Sequence, residues 1–189
     1  MKQAFKLYKP LVSDEGTPIT TLTAALLTLG QNNQADTKAT DDLTASDLRV
    51  MAVTGLSEDE LNRLAAPDFN SLASYVEKQR TQPTAAFLGN KQNNQNNQNA
   101  DSPTLIQPIS ANGGEQVNSL TLKVPTVKMI RMRDKVEGDL MTRALWLTAA
   151  CTDVGPDDLL SLAMPDWIQL QMRLGDFLQQ PAAYFRSGT

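Results

Sequence analysis

The sequence contains no histidine and only one cysteine, Cys151. Without histidine the chain cannot form a Ser-His-Asp or Cys-His catalytic arrangement, and it lacks the commonest side-chain ligand of transition metals. One cysteine excludes an intramolecular disulfide and a zinc site built from several thiolates. Because Cys151 ends an apolar helical stretch, we expect a buried, unreactive thiol. No catalytic residue, cofactor or metal site is therefore predicted, and the protein is not expected to be an enzyme.

Aromatic residues are scarce, and the sequence has no long apolar run and no excess of positive charge. Aromatic residues make up 5% of the 189 residues, and no apolar run approaches the roughly 18 residues of a membrane span. The first residues contain no apolar core of a secretory signal. The formal net charge is −4 and there is no glycine-rich phosphate loop, which disfavours nucleic acid as a partner. We therefore expect a soluble cytoplasmic protein that contacts neither membranes nor nucleic acid.

The chain does contain an internal repeat, in which one sequence unit recurs after 98 residues. Residues 54–72 align without gaps with residues 152–170, and in both stretches a proline, an aspartate and an aromatic residue follow one another. From residue 5 to residue 87 the same register gives 22 identities in 83 positions. Chance would give about five or six for ordinary composition. A tandem duplication is therefore predicted.

Each copy begins with two short apolar segments separated by a turn that contains glycine, which predicts a β-hairpin. Helical periodicity follows, with helix starts marked by prolines and by a capping box that begins at Ser57. The predicted unit is ββααα, a β-hairpin packed on a helical bundle, and the fold class is α+β. The predicted strands are Phe5–Leu11, Ile19–Thr23, Leu105–Ile109 and Val117–Lys123, and the longer helices are about Asp42–Val53 and Gly138–Cys151.

The two copies differ after the second strand, and a polar segment separates them. In the second copy Thr126 can cap a basic amphipathic helix. In the first copy residues 25–33 are apolar and then polar, so the corresponding helix is expected to be absent or shortened. From Asn90 to Asn99 nine of ten residues are Asn or Gln, a composition typical of a flexible tether. The predicted domains are 1–88 and 104–189, joined by an Asn/Gln-rich linker at 89–103.

Five of the seven methionines lie in the second copy. Methionine is frequent on adaptable binding surfaces because its side chain can repack around different partners. Met129, Met132 and the neighbouring Trp146 are therefore candidate partner-binding residues in a groove for a helix, with ordinary core packing as the alternative. Five of the 17 basic residues also lie between Lys123 and Lys135, which indicates a solvated helix face or a site for an acidic partner.

Three short motifs carry a family resemblance. They are the strand at residues 6–11, the segment Leu-Thr-Leu-Lys-Val-Pro-Thr at 120–126, and Thr-Gly-Leu-Ser-Glu-Asp-Glu-Leu at 54–61 followed by Asp68 and Phe69. With these motifs the unit resembles the tail assembly chaperones of Mu-like and related contractile-tailed bacteriophages. The chain departs from the family pattern in its duplication, its Asn/Gln-rich linker and the lost Pro-Thr segment of the first copy.

The resemblance implies a non-enzymatic chaperone in the host cell cytoplasm. Such a protein binds the tape measure protein of the tail, keeps its apolar helices from aggregating, and leaves as tail tube subunits polymerise around it. The implied partners are the tape measure protein and, second, the tail tube protein, while self-association or an intramolecular pseudo-dimer stays open. The alternative is a structural or adaptor protein that remains in the virion, at the site of tube initiation or in the baseplate.

Overall fold

The computed structural model describes residues 1–88, 100–111 and 113–186. Within these residues the fold is α+β, as predicted, with two two-stranded antiparallel sheets and nine α-helices. The chain divides into two compact units, Met1–Gln82 with Ala163–Pro165 and Pro83–Leu162 with Asp166–Thr189. Residues 89–99 of the predicted linker lie outside the described residues.

The first unit opens with a β-hairpin. β1 (Lys2–Val12) pairs antiparallel with β2 (Pro18–Ala25), so both strands extend beyond the predicted segments. Leu7, Leu11 and Leu22 are buried while most of their neighbours along the strands are exposed. This alternation arises because one face of the hairpin packs on helices and the other faces solvent.

Four helices follow this hairpin, and local capping defines where they begin and end. The predicted capping box at Ser57 is confirmed, since the Ser57 hydroxyl accepts the Glu60 N–H at 3.1 Å and the Glu60 carboxylate accepts the Ser57 N–H at 3.0 Å. Gly55 ends the second helix with a φ of +76°, a conformation that glycine adopts at little cost. The helices are α1 (Leu29–Lys38), α2 (Asp42–Thr54), α3 (Glu58–Arg63) and α4 (Ala66–Thr81).

The expectation that the first copy lacks or shortens its first helix is wrong, because α1 is ten residues long. Thr28 caps it through a capping box with Gln31. Its polar face is held in place by buried Asn32, whose side-chain oxygen accepts hydrogen bonds from Arg49 at 3.0 Å and from Arg80 at 3.1 Å. Capping and these tertiary hydrogen bonds therefore override the low helix propensity of Gly30, Asn32 and Asn33.

The second unit has the same order of elements, followed by one further short helix. Gly113 and Gly114, which join its two strands, both have positive φ, as the predicted turn requires, and Asn112 of that turn lies outside the described residues. The second strand ends at Ser119, before the predicted Lys123, and the Lys123 N–H donates instead to the Cys151 carbonyl at 2.8 Å. The elements are β3 (Thr104–Ala111), β4 (Glu115–Ser119), α5 (Val127–Arg133), α6 (Leu140–Thr152), α7 (Pro156–Leu159), α8 (Met164–Gln179) and α9 (Ala182–Arg186).

The predicted ββααα order is one helix short. In both units a helix capped by threonine follows the hairpin, so the order is ββαααα in the first unit, and a fifth, short helix follows in the second. The predicted cap of α5 is confirmed, since the Thr126 hydroxyl accepts the Met129 N–H at 3.2 Å.

The four equivalent helices of the two units begin 98 residues apart, and the two long ones also end 98 residues apart. α2 and α6 each span 13 residues at this offset, and α4 and α8 each span 16. The caps are also equivalent, because Asp41 accepts the Thr44 N–H at 2.8 Å and Asp139 accepts the Thr142 N–H at 2.7 Å. Positions that differ by 98 therefore lie at the same place on equivalent helices.

Candidate partner-binding groove

In each unit a buried aspartate of the last long helix accepts a hydrogen bond from the first strand. In the first unit Asp68 accepts the Tyr8 N–H at 2.7 Å. In the second unit Asp166 accepts the Ile106 N–H at 2.9 Å and the Thr84 hydroxyl at 2.5 Å. Burial raises the pKa of Asp166 to about 6, although these hydrogen bonds act in the opposite direction. Both carboxylates have partners inside the fold, which gives them a role in holding the helix against the hairpin.

The second unit has an open groove of about 350 Å³ between α6 and α8, with the end of α5 at its edge. Leu147 and Leu174 are buried and form its floor. Leu140 and Leu178 line its rim, with exposed fractions of 83% and 36%. The remaining lining residues are Arg133, Asp134, Arg143, Ala144, Gln171 and Gly175. We call this surface the apolar groove.

Gly175 lies inside α8 at the apolar groove. A Cβ atom built at this position would have none of the described heavy atoms within 4 Å, apart from its own helix backbone and chain neighbours, so the fold itself leaves room for a side chain. Glycine inside a helix costs about 0.5–1 kcal/mol relative to alanine. Gly175 and Gln171 also border a second depression on α8, of about 470 Å³, where Met172 is exposed. The surface of α8 is therefore open and partly apolar beside the groove.

The first unit has a groove at the equivalent position, but charged residues dominate it. Its volume is about 540 Å³. Buried Arg49 forms an ion pair with Asp36, and Arg80 forms one with Glu77 at 2.7 Å. Burial lowers the pKa of Arg49, the nearby Arg80 lowers it further, and Asp36 acts in the opposite direction. We call this surface the charged groove.

The two grooves differ at matched positions of matched helices. At five positions related by the offset of 98, the first unit carries a charged or polar residue where the second carries an apolar or small one, while Arg133, Arg143 and Gln171 of the second unit correspond to alanines. The pairs are Asp42 and Leu140, Ser46 and Ala144, Arg49 and Leu147, Glu77 and Gly175, and Arg80 and Leu178. The second unit can therefore accept an apolar side chain where the first presents ion pairs.

The residues predicted from the methionine pattern lie near the apolar groove but not in its lining. Met129 is half-buried, and its sulfur accepts the Thr126 N–H at 3.5 Å. Met132 is exposed on α5, and Trp146 is half-buried on α6, which packs against α5. Their part in partner binding stays a prediction.

The lining residues Leu140, Gly175 and Leu178 were missed by the sequence analysis. The binding residues were predicted from residue type alone, and an exposed leucine or a glycine in a helix does not by itself indicate a binding surface. A residue-by-residue comparison at offset 98 contains the signal, because it pairs each of these positions with a charged residue of the first copy.

The described residues contain no group of three or more acidic or cysteine side chains arranged to hold a metal ion. Cys151 is buried and unpaired, as predicted, and burial raises the pKa of its thiol. No helix in the described part of the chain is long and apolar enough to cross a bilayer.

An open apolar groove on a small α+β fold is the kind of surface that can receive a partner, and a comparison with known families was informative for this unit. Residues 102–179 match the family model described as "Phage tail assembly chaperone proteins, E, or 41 or 14". The predicted family resemblance is confirmed over this segment, which includes all the lining residues of the apolar groove. The match supports a role in phage tail assembly and implies a non-enzymatic one. Neither the curated proteins nor the solved structures contain a significant match.

Proposed function

We propose that this protein is a tail assembly chaperone that binds the tape measure protein and keeps it soluble while the tail tube assembles around it. The observation that carries this proposal is the position of the apolar groove inside the segment that matches the family. A chaperone for apolar helices needs a surface that replaces water around them, and an exposed leucine such as Leu140 supplies apolar area of that kind. The proposed setting is the host cell cytoplasm, with the tail tube protein as a second partner.

We further propose that the chain is a tandem duplication, with copies at 1–88 and 104–189 and a linker at 89–103. The 98-residue offset of the helices, the capping aspartates Asp41 and Asp139, and the buried aspartates Asp68 and Asp166 support this proposal. Two copies on one chain would raise the effective concentration of the second copy at a client already bound by the first.

Co-expression with the tape measure protein of the same phage tests the proposed function. We expect the tape measure protein to move from the insoluble to the soluble fraction and to co-purify with the full-length chain. Unchanged solubility together with no recovered complex would contradict the proposal.

Purified virions provide a second test. A chaperone leaves during assembly, so mass spectrometry of mature particles should not detect the chain. Its presence in stoichiometric amounts would instead identify a structural or adaptor protein of the tail.

A further inference from the structure

We infer that the apolar groove binds an amphipathic helix whose apolar face is flanked by acidic residues, and that the charged groove does not bind it. The inference deepens the proposed function and rests on it for the source of the helix, a segment of the tape measure protein. The shape and the charge of the second unit carry the argument for the helix itself.

The shape of the apolar groove suits about two turns of helix. Its lining spans residues 140–147 of α6 and 171–178 of α8, and eight residues of helix extend for about 12 Å. A helix in a groove is held by side chains spaced at i, i+3 or i+4, and i+7, which span the same length. Buried Leu147 and Leu174 would contact these side chains from below, and exposed Leu140 and Leu178 would contact them from the rim.

The charge around the apolar groove favours acidic flanks on the bound helix. Residues 123–143 contain six basic and three acidic side chains, a net +3 in a chain whose total is −4. Lys128, Arg131 and Lys135 are exposed and form no ion pair within the described residues. They lie on α5 or directly after it, next to Arg133 and Asp134 of the groove lining. Opposite charge on a partner adds attraction at this rim and selects its orientation.

The charged groove spans the same lengths of its two helices, 42–49 and 73–80, but it lacks the apolar rim and the excess of basic residues. Residues 25–45, which are equivalent to 123–143, contain one basic and three acidic side chains, a net −2. Arg49 occupies the position of Leu147 and is already paired with Asp36 inside the fold. An apolar helix in this groove would remove these ion pairs from water without offering them new partners, and that desolvation is unfavourable.

Two synthetic helical peptides test the recognition with the full-length protein. Both carry the same leucine and alanine face, and their flanking positions are glutamate in one and lysine in the other. We expect the glutamate peptide to bind one site per chain, about tenfold more tightly than the lysine peptide at low salt. The difference should shrink as salt rises, because the rim charges are exposed.

A triple variant tests whether this binding takes place in the apolar groove. Leu140→Asp, Gly175→Glu and Leu178→Arg introduce the residues that the first unit has at the equivalent positions. Folding should persist, since both leucines are exposed and the Cβ position of Gly175 is open. The matched control is Leu43→Asp, which removes a leucine exposed to 79% in the first unit and makes the same net charge change of −1.

We expect the triple variant to lose peptide binding and the control to keep it, with both retaining the thermal unfolding of the wild type. Retained binding by the triple variant, equal binding of both peptides, or two sites per chain would overturn the inference. So would a dimer of the chain that the triple variant dissociates, because a second copy would then occupy the groove. Peptide binding without any effect on tape measure solubility would overturn the proposed function and leave the groove assignment intact.

Discussion

Asp166 should make the second unit less stable at neutral pH than in mild acid. The residue is 2% exposed, and burial raises the pKa of its carboxyl group from 3.8 to about 6. Between these two values the folded unit holds a proton that the unfolded chain has released, so the free energy of unfolding falls as pH rises. The full effect of this pKa difference is about 3 kcal/mol. Between pH 5 and pH 7.5 the expected fall is about 1.4 kcal/mol.

Tryptophan fluorescence during urea unfolding isolates this effect. Both tryptophans, Trp146 and Trp167, belong to the second unit, so their emission reports its unfolding alone. Asp166→Asn is nearly isosteric and does not titrate, and it should abolish the difference between pH 5 and pH 7.5. Asp68→Asn makes the matching change in the first unit and should leave the difference in place, because Asp166 is still present.

A wild-type free energy of unfolding that is constant or rises from pH 5 to pH 7.5 would refute this reasoning. In that case the hydrogen bonds from Thr84 and Ile106 stabilise the carboxylate more than burial destabilises it.

Two further substitutions test the first unit, both by urea unfolding followed with circular dichroism. Gln79→Leu should cost about 1–3 kcal/mol, because the buried Gln79 side chain accepts the Leu27 N–H at 2.6 Å and leucine leaves that N–H unpaired. A neutral result would show that Leu27 finds another acceptor. Gly55→Ala should cost about 1–2 kcal/mol, since the φ of +76° is unfavourable for a residue with a Cβ. Gly55→Asn should cost less, and equal losses would point away from backbone strain.

Features encoded by neighbouring residues were predictable from the sequence. Asp42–Val53 was predicted as a helix and Asp42–Thr54 is observed, because a capping aspartate and a terminal glycine mark its ends locally. The hairpins were predictable for the same reason, since glycine-containing turns between apolar segments act over a few residues. The buried thiol of Cys151 followed from its apolar helical surroundings.

Features that depend on contacts far along the chain were not predictable. α1 depends on the hydrogen bonds that Asn32 accepts from Arg49 and Arg80, which lie 17 and 48 residues away. The apolar groove depends on how far α6 and α8 stand apart, and residue type does not report that distance. The methionine pattern selected residues of α5 and α6, which are not in the groove lining, and their part in binding stays a prediction. Leu140 and Gly175 could be recognised as lining residues only once the fold was known.

The hydrogen bond from Thr84 to Asp166 determines how this chain can be divided experimentally. A fragment that starts at residue 100 keeps every named strand and helix of the second unit, yet it loses Thr84, which is buried in that unit. Asp166 would then remain buried with fewer donors, and the fragment would be less stable than the same unit in the intact chain. A fragment that starts at Pro83 retains the threonine, and it is the better fragment for peptide titrations and crystallisation.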